Sequence, residues 1–294
     1  MEDQELIAER FESLRPRLQA IAYRMLGSLS EADDAVQNAW LRLSRSDTSK
    51  VGNLAAWLTT VVARVCLNML QARGSRREEP LEVHLPEPIV TSMEGSDPEA
   101  EAVLADSVGL ALQVVLEMLS PAERIAFVLH DMFAVPFEDI AKVLGRSPVA
   151  VRQLASRARR QVEGRANTPV ASLDQQWEVV DAFYAAAREG DLNRLIAVLD
   201  PEVVRRGDGG RAAPGLTGVV RGAQAVARTA LLGAKPGREV RRALVNGAAG
   251  VVVFEAGQPF AVFSFLVSDG RILEIDVLAD PERLSQLNLA AVEH

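Results

Sequence analysis

Cysteine and histidine are scarce in this chain. Cys66 is the single cysteine among 294 residues, so no disulfide framework can form within one chain, and its apolar helical setting fits a reducing cytoplasm. His84, His130 and His294 are scattered, and there is no Cys/His cluster, P-loop or GxSxG segment. Metal, nucleotide and serine-hydrolase chemistry therefore lack support, and neither a metal nor a cofactor is expected. The N-terminus, MEDQELIAER, lacks the basic and apolar blocks of a signal peptide, and no apolar run reads as long enough to span a membrane. No internal repeat is visible. Positive charge is also in deficit: the formal net charge is −8, which disfavours loose binding to phosphates, so any nucleic-acid surface must be local. With 48% hydrophobic residues, the chain is globular and long enough for two or three domains.

The most informative stretch is Pro136 to Val162, PFEDIAKVLGRSPVAVRQLASRARRQV. Ile140, Ala141 and Leu144 share one face of a first helix, Glu138 and Asp139 suit its positive end, and Gly145 ends it. Ser147 is a natural N-cap and Pro148 a natural first residue of a second helix. There Val151, Leu154, Ala155, Ala158 and Val162 follow the spacing of a buried stripe, leaving Arg152, Gln153, Ser156, Arg159 and Arg160 opposite, with Arg157 at the border. Arg, Gln and Ser are the donors and acceptors that pair with base edges and phosphates in a major groove, so the pattern predicts a DNA-reading helix-turn-helix. From Arg146 to Arg165 six arginines face one acid, Glu163.

Earlier in the chain Leu14, Leu18, Ile21, Ala22 and Met25 mark a helix closed by Gly27. Ser30 is the expected cap of a second helix, with Asp33 three residues on. Its apolar residues Ala32, Val36, Ala39 and Leu43 face inward and Asp34, Gln37, Asn38, Leu41 and Arg42 outward, with Trp40 at the border. After the polar segment Arg45 to Asn53, a third helix carries a basic face of Arg64, Asn68, Arg73, Arg76 and Arg77. Glu78 to Asp106 contains nine acids and no basic residue, and reads as an extended linker stiffened by Leu85-Pro86-Glu87-Pro88. Ser120-Pro121-Ala122-Glu123 is a helix start with the capping-box pattern.

Beyond Gly164 the character changes. Gln175 to Arg188 and Leu192 to Leu199 read as helices, and Arg238–Val245, Val251–Phe254, Phe260–Val267 and Arg271–Leu278 as strands, the last two joined by an Asp269-Gly270 turn. Helices followed by an antiparallel sheet predict an α+β fold that can enclose a pocket for a small-molecule ligand.

The segments LGSLSEADDAVQNAWLRL and NLAAWLTTVVARVCLNMLQARGSRR, followed by the helix-turn-helix, resemble bacterial sigma factors of the extracytoplasmic-function group. The segments AAAREGDLNRLIAVLDPEVV, RRGDGGR and VNGAAGVVV resemble the SnoaL-like branch of the NTF2-like cone fold. With LPEP and the terminal Asp280-Pro281-Glu282-Arg283-Leu284, the whole chain resembles the sigma factors that carry such a domain at the C-terminus. Relative to that group, Asp208-Gly209-Gly210-Arg211 is one glycine short and Asp280 stands in place of Asn.

The resemblance implies a multidomain chain with two all-α modules and a C-terminal α+β cone. These are a region 2 domain (1–77), an acidic linker (78–106), a region 4 domain (107–165), a short linker (166–174) and the SnoaL-like domain (175–294). It implies core RNA polymerase and promoter DNA as partners. Asp34, Gln37, Asn38 and Leu41 would dock on the polymerase clamp, and the Arg45 to Asn53 loop would hold a flipped minus-10 base. Arg64 and Asn68 would read neighbouring bases, while Arg152, Gln153, Ser156 and Arg157 match the minus-35 readers. The C-terminal domain would contact the sigma modules and regulate them in cis, through Leu85, Pro86, Glu87 and Pro88 and through Asp208, Gly209, Gly210, Arg211, Asp280 and Pro281.

Two other readings stand beside this one. A one-component ligand-sensing regulator leaves the 30–77 region without a role. An enzymatic cone would need a carboxylate base, but Asp208 reads more simply as a turn residue and Glu274 and Asp276 as members of a solvated face.

Overall fold

The computed structural model describes residues 2–46, 52–76, 85–91, 110–166, 171–289 and 292. These fall into two compact units, one of residues 2–46, 52–76 and 112–166, the other of 85–91, 110–111, 171–289 and 292.

The first unit is helical. Helix α1 (Glu2–Leu26), α2 (Leu29–Leu43) and α3 (Leu54–Arg76) pack through Leu18, Ile21, Met25, Ala32, Val36, Ala39, Leu58, Val62 and Cys66, all buried. The cap of α2 is Ser28, not Ser30: its side chain accepts the Glu31 amide at 3.3 Å. The Ser-x-x-Glu spacing begins two residues earlier than expected, while Asp33 instead accepts from Gln19 at 2.8 Å. Leu54–Arg73, with mean hydropathy 1.3, is long and apolar enough to cross a membrane by length and composition, contrary to expectation. Its apolar residues Leu58, Val61, Val62, Val65, Cys66 and Leu70 are buried within this unit, which accounts for the hydropathy.

The remaining helices are α4 (Leu110–Met118), α5 (Pro121–Phe127), α6 (Phe137–Leu144) and α7 (Pro148–Ala166), with a π turn at Val128–Met132. The expected box starts α5, with Ser120 and Glu123 bonding reciprocally. These helices join α1 through buried polar contacts. Gln113 donates to the Tyr23 and Arg24 carbonyls at 3.2 Å, and Arg124 bridges the Met25 carbonyl and Glu117 at 2.8 and 2.9 Å.

The second unit has the expected α+β architecture. Helices α8 (Leu173–Glu189), α9 (Leu192–Val198) and α10 (Ala223–Gly233) cover one face of a seven-stranded sheet. The strands are β1 (Val90–Thr91), β2 (Leu199–Asp208), β3 (Gly218–Arg221), β4 (Arg238–Val245), β5 (Ala248–Glu255), β6 (Gln258–Ser268) and β7 (Arg271–Leu278), in the order β1-β4-β5-β6-β7-β2-β3. All neighbours are antiparallel except β2 and β7. Asp269 and Gly270 form the expected hairpin turn with φ of 49° and 72°. Strands β2 and β3 and helix α10 were not expected from the sequence; in β2 the adjacent Arg205 and Arg206 break any apolar alternation.

The two faces of this sheet differ. Val251, Val253, Ala261, Phe265, Ile275 and Val277 meet the helices. On the other face Ala243, Val245, Val252, Val262 and Leu278 meet Val90 from the linker and Leu284, Leu289 and Val292 from the C-terminal segment, which begins with the short helix α11 (Pro281–Leu284).

Candidate nucleic-acid interface and linker dock

Helix α7 is oriented by the stripe that the sequence predicted. Val151, Leu154, Ala155, Ala158 and Val162 are buried, while Arg152, Gln153, Ser156, Arg157 and Arg160 are exposed and Arg159 is half-buried. The turn before it needs the left-handed backbone of Gly145, φ 61°, and Ser147 caps the new helix by accepting the Ala150 amide at 3.2 Å. Three arginines lean on acids of neighbouring helices. Arg152 reaches Glu138 at 3.4 Å and lies over the Phe137 ring, Arg157 approaches Glu123 at 3.7 Å, and Arg159 Nε donates to Asp131 at 2.9 Å. The Arg152–Glu138 pair is open to solvent on both sides and contributes about 0–1 kcal/mol, whereas in the Arg157 pair the arginine is exposed and Glu123 is largely covered.

On α2 the side chains of Asp34, Gln37, Asn38 and Leu41 are exposed on one face, with Leu41 46% accessible. On α3 Arg64 and Asn68 are exposed one turn apart. Arg64 Nη2 donates to the Lys142 carbonyl of α6 at 2.9 Å. Arg73 departs from its expected place on this face. It pairs with Glu31 and donates to the Leu26 carbonyl at 2.8 Å, closing the α1–α2 turn onto α3. The side chain of Arg76, all of Arg77, and residues 47–51 lie outside the described residues.

The LPEP segment is docked within the second unit. Leu85, Pro86, Glu87, Pro88, Ile89 and Val90 are all buried. Val90 and Thr91 pair with Val245 and Leu244 at the edge of the sheet. The Ile89 amide donates to Asn246 Oδ1 at 2.7 Å, and the Asn246 amide returns a bond to the Ile89 carbonyl at 2.8 Å. Leu85, Pro86 and Pro88 line a small pocket with Val245, Val262, Ser264, Asp276 and Leu278. Arg283 ties this strap to the domain, donating both to the Asp208 carboxylate and to the Leu85 carbonyl at 2.5 Å. Asp208 thus holds Arg283 and also accepts the Gly210 amide at 3.3 Å, Gly210 faces Asp280, and Arg211 is exposed. Gly210 has φ 54°, and a Cβ added there would run into the Asp280 carboxylate, so a side chain would collide.

Comparison with known proteins places these modules. Residues 10–76 match the family described as Sigma-70 region 2, and residues 109–162 the family described as Sigma-70, region 4. The chain is 39% identical to the ECF RNA polymerase sigma factor SigJ of Mycobacterium tuberculosis, over 94% of this chain and 92% of that protein. It belongs to the ECF RNA polymerase sigma factors. This sigma factor is also 33% identical to the probable ECF sigma factor SigI of the same organism, over 98% of each chain. The crystal structure of M. tuberculosis SigJ superposes with a TM-score of 0.75 at 37% identity, covering 96% of this chain and 99% of that one. Because the region 2 match spans residues 10–76, which a one-component regulator leaves without a role, that reading is not favoured, and the protein is a sigma factor of transcription initiation.

The sigma factor corrects two expectations about its carboxylates. Asp276 is buried and Glu274 half-buried, not solvated. Arg206 from β2 donates to Asp276 Oδ1 at 2.9 Å and Glu274 Oε2 at 3.0 Å. The register sets Arg206 opposite Asp276, and the two carboxylates hold the guanidinium charged, raising its pKa despite burial. Asp208 ends β2 and holds Arg283, so it is more than a turn residue. Sequence reasoning assigned no role to Asn246, Arg206 or Arg283. Asn246 and Gly247 form the β4–β5 turn with φ of 51° and 76°; the Asn-Gly pair is a hairpin signal in the sequence, but nothing local marks the grip of Asn246 on Ile89.

Proposed function

We propose that this sigma factor directs core RNA polymerase to promoter DNA in the cytoplasm. Helix α7 reads the minus-35 element, the exposed face of α2 docks on the polymerase, and Arg64, Asn68 and the 45–53 loop engage the minus-10 element. The observation that supports the reading most is the division of α7 into a buried apolar stripe and an exposed face of Arg152, Gln153, Ser156 and Arg160. Replacing Arg152 by Ala in the holoenzyme should cost about 1–3 kcal/mol at one minus-35 base pair. A uniform loss across all sequences would make Arg152 a phosphate contact, and no loss would refute the assignment. Arg64 is exposed and places one Nη2 donor on the Lys142 carbonyl, and a guanidinium carries further N–H donors for a base or phosphate.

Control in cis is supported by the strap. Residues 85–91 lie in the chain between region 2 and region 4, yet they are built into the sheet of the C-terminal domain. Part of the segment that joins the two DNA-reading modules is thereby committed to the C-terminal domain. A small-molecule trigger would act on the helix face of the sheet, where the Tyr184 hydroxyl and the Trp177 indole nitrogen are buried without a hydrogen-bond partner. Promoter-dependent transcription with purified core polymerase, comparing the full chain with a fragment ending at Thr168, tests the control. Equal output from both would remove the domain from regulation.

A further inference from the structure

Val149 is 61% exposed at the second position of α7, although the same helix buries Val151 and Val162. It lies off the buried stripe. Val149, Gln153, Ser156 and Arg160 follow one another at spacings of four, three and four residues, so at 3.6 residues per turn they form one line along the helix, opposite Val151, Leu154, Ala158 and Val162. Arg152 and Arg159 fall to one side, where Glu138 and Asp131 hold them, and Arg157 to the other, beside Glu123. The line at the centre of the exposed face therefore opens with a branched apolar side chain at the N-terminal end of the helix.

We propose that Val149 reads the 5-methyl group of a thymine in the major groove of the minus-35 element. The inference rests on α7 being the minus-35 helix. The N-terminal residues of a recognition helix are the ones that reach base edges, and among the four bases only thymine presents a methyl group in that groove. Val149 has no polar atom to satisfy, so contact with the methyl removes water from two apolar surfaces at no hydrogen-bonding cost. Gln153, one turn further along the same line, is the amide that pairs with adenine, so the line is suited to an A·T-containing half of the site.

The test uses holoenzyme assembled from core polymerase and the full chain, selecting DNA from a pool randomised across the minus-35 region. Wild type, Val149→Ala and Arg152→Ala are compared. Alanine is the better helix former and the position is exposed, so Val149→Ala keeps the fold. Wild type is expected to enrich thymine at one position that Val149→Ala no longer discriminates, with the other positions unchanged. Deoxyuridine at that position should weaken wild-type binding about fourfold, the worth of one methyl group withdrawn from water, and leave Val149→Ala unaffected. The proposal is overturned if wild type shows no thymine preference, if the preference survives in Val149→Ala, or if deoxyuridine costs both proteins equally. Arg152→Ala separates the levels. If it too leaves every minus-35 preference intact, the assignment of α7 fails; if it alone changes a preference, only the role of Val149 fails.

Discussion

Replacing Arg283 by Ala should free the linker strap from the C-terminal sheet while the sheet itself stays folded. Docking orders residues 85–91, at roughly 1–2 kcal/mol per residue, reduced at Pro86 and Pro88 where φ is already set, for a cost of roughly 8 kcal/mol. Burial of Leu85, Ile89 and Val90 offsets this by roughly 6 kcal/mol, and the bonds to Asn246 and the β4 edge by roughly 1 kcal/mol each. The two sides nearly cancel. The charge-assisted bond from Arg283 to the Leu85 carbonyl, about 1.5–3 kcal/mol, then decides whether the strap is docked. Its loss should raise strap opening about 10- to 150-fold, read by amide hydrogen exchange at Ile89, whose N–H is held by Asn246. Val252, in the middle of β5, serves as the internal reference. Arg283→Lys restores a cation beside Asp208 but cannot present the same two-pronged donor, so it should keep the sheet stable and still loosen the strap. Unchanged exchange at Ile89 in Arg283→Ala, or equal acceleration at Ile89 and Val252, would refute the reasoning.

Other consequences follow from the buried polar groups. The Tyr184 hydroxyl is buried without a partner, and burial holds its pKa well above the usual phenol range; Tyr184→Phe should be neutral or stabilising by about 1–3 kcal/mol in urea unfolding, and a clear loss would reveal a bonding partner. Arg206→Met removes the guanidinium that Glu274 and Asp276 share and should cost about 3–5 kcal/mol in urea unfolding at neutral pH; a loss below about 1 kcal/mol would mean the cluster adds little. Burial pushes the Cys66 thiol up to about 12. The unfolded thiol ionises near pH 8.5, so this contribution is fully present below about pH 8.5 and is lost as pH rises towards the folded value, by about 1.4 kcal/mol per pH unit. Unfolding free energies of wild type and Cys66→Ala between about pH 8 and pH 10 should therefore diverge; parallel slopes would sink the argument.

The parts legible in the sequence are those held by near neighbours. The stripe of α7, the Gly145 turn, the Ser120–Glu123 box and the Asp269-Gly270 hairpin each depend on residues a few positions apart, and each stands where the pattern put it. Even the misplaced cap of α2 was an error of two residues between competing serines. Other features depend on which distant strands meet. Arg206 can sit in β2 because β7 brings Glu274 and Asp276 beside it, and no local pattern marks that pairing. Arg73 reads as a basic helix end until Glu31 and the Leu26 carbonyl are placed against it.

Short-range chemistry in the sequence by itself determined the helical modules and which side of α7 is buried and which exposed. Only the tertiary structure decided that residues 85–91 become part of a sheet whose β4 edge lies some 150 residues downstream, and that Arg283 holds them there. Helix caps and stripes record interactions within a turn or two. Strand edges and ion pairs are completed by whatever the fold brings alongside, and that is set by the packing of the whole domain.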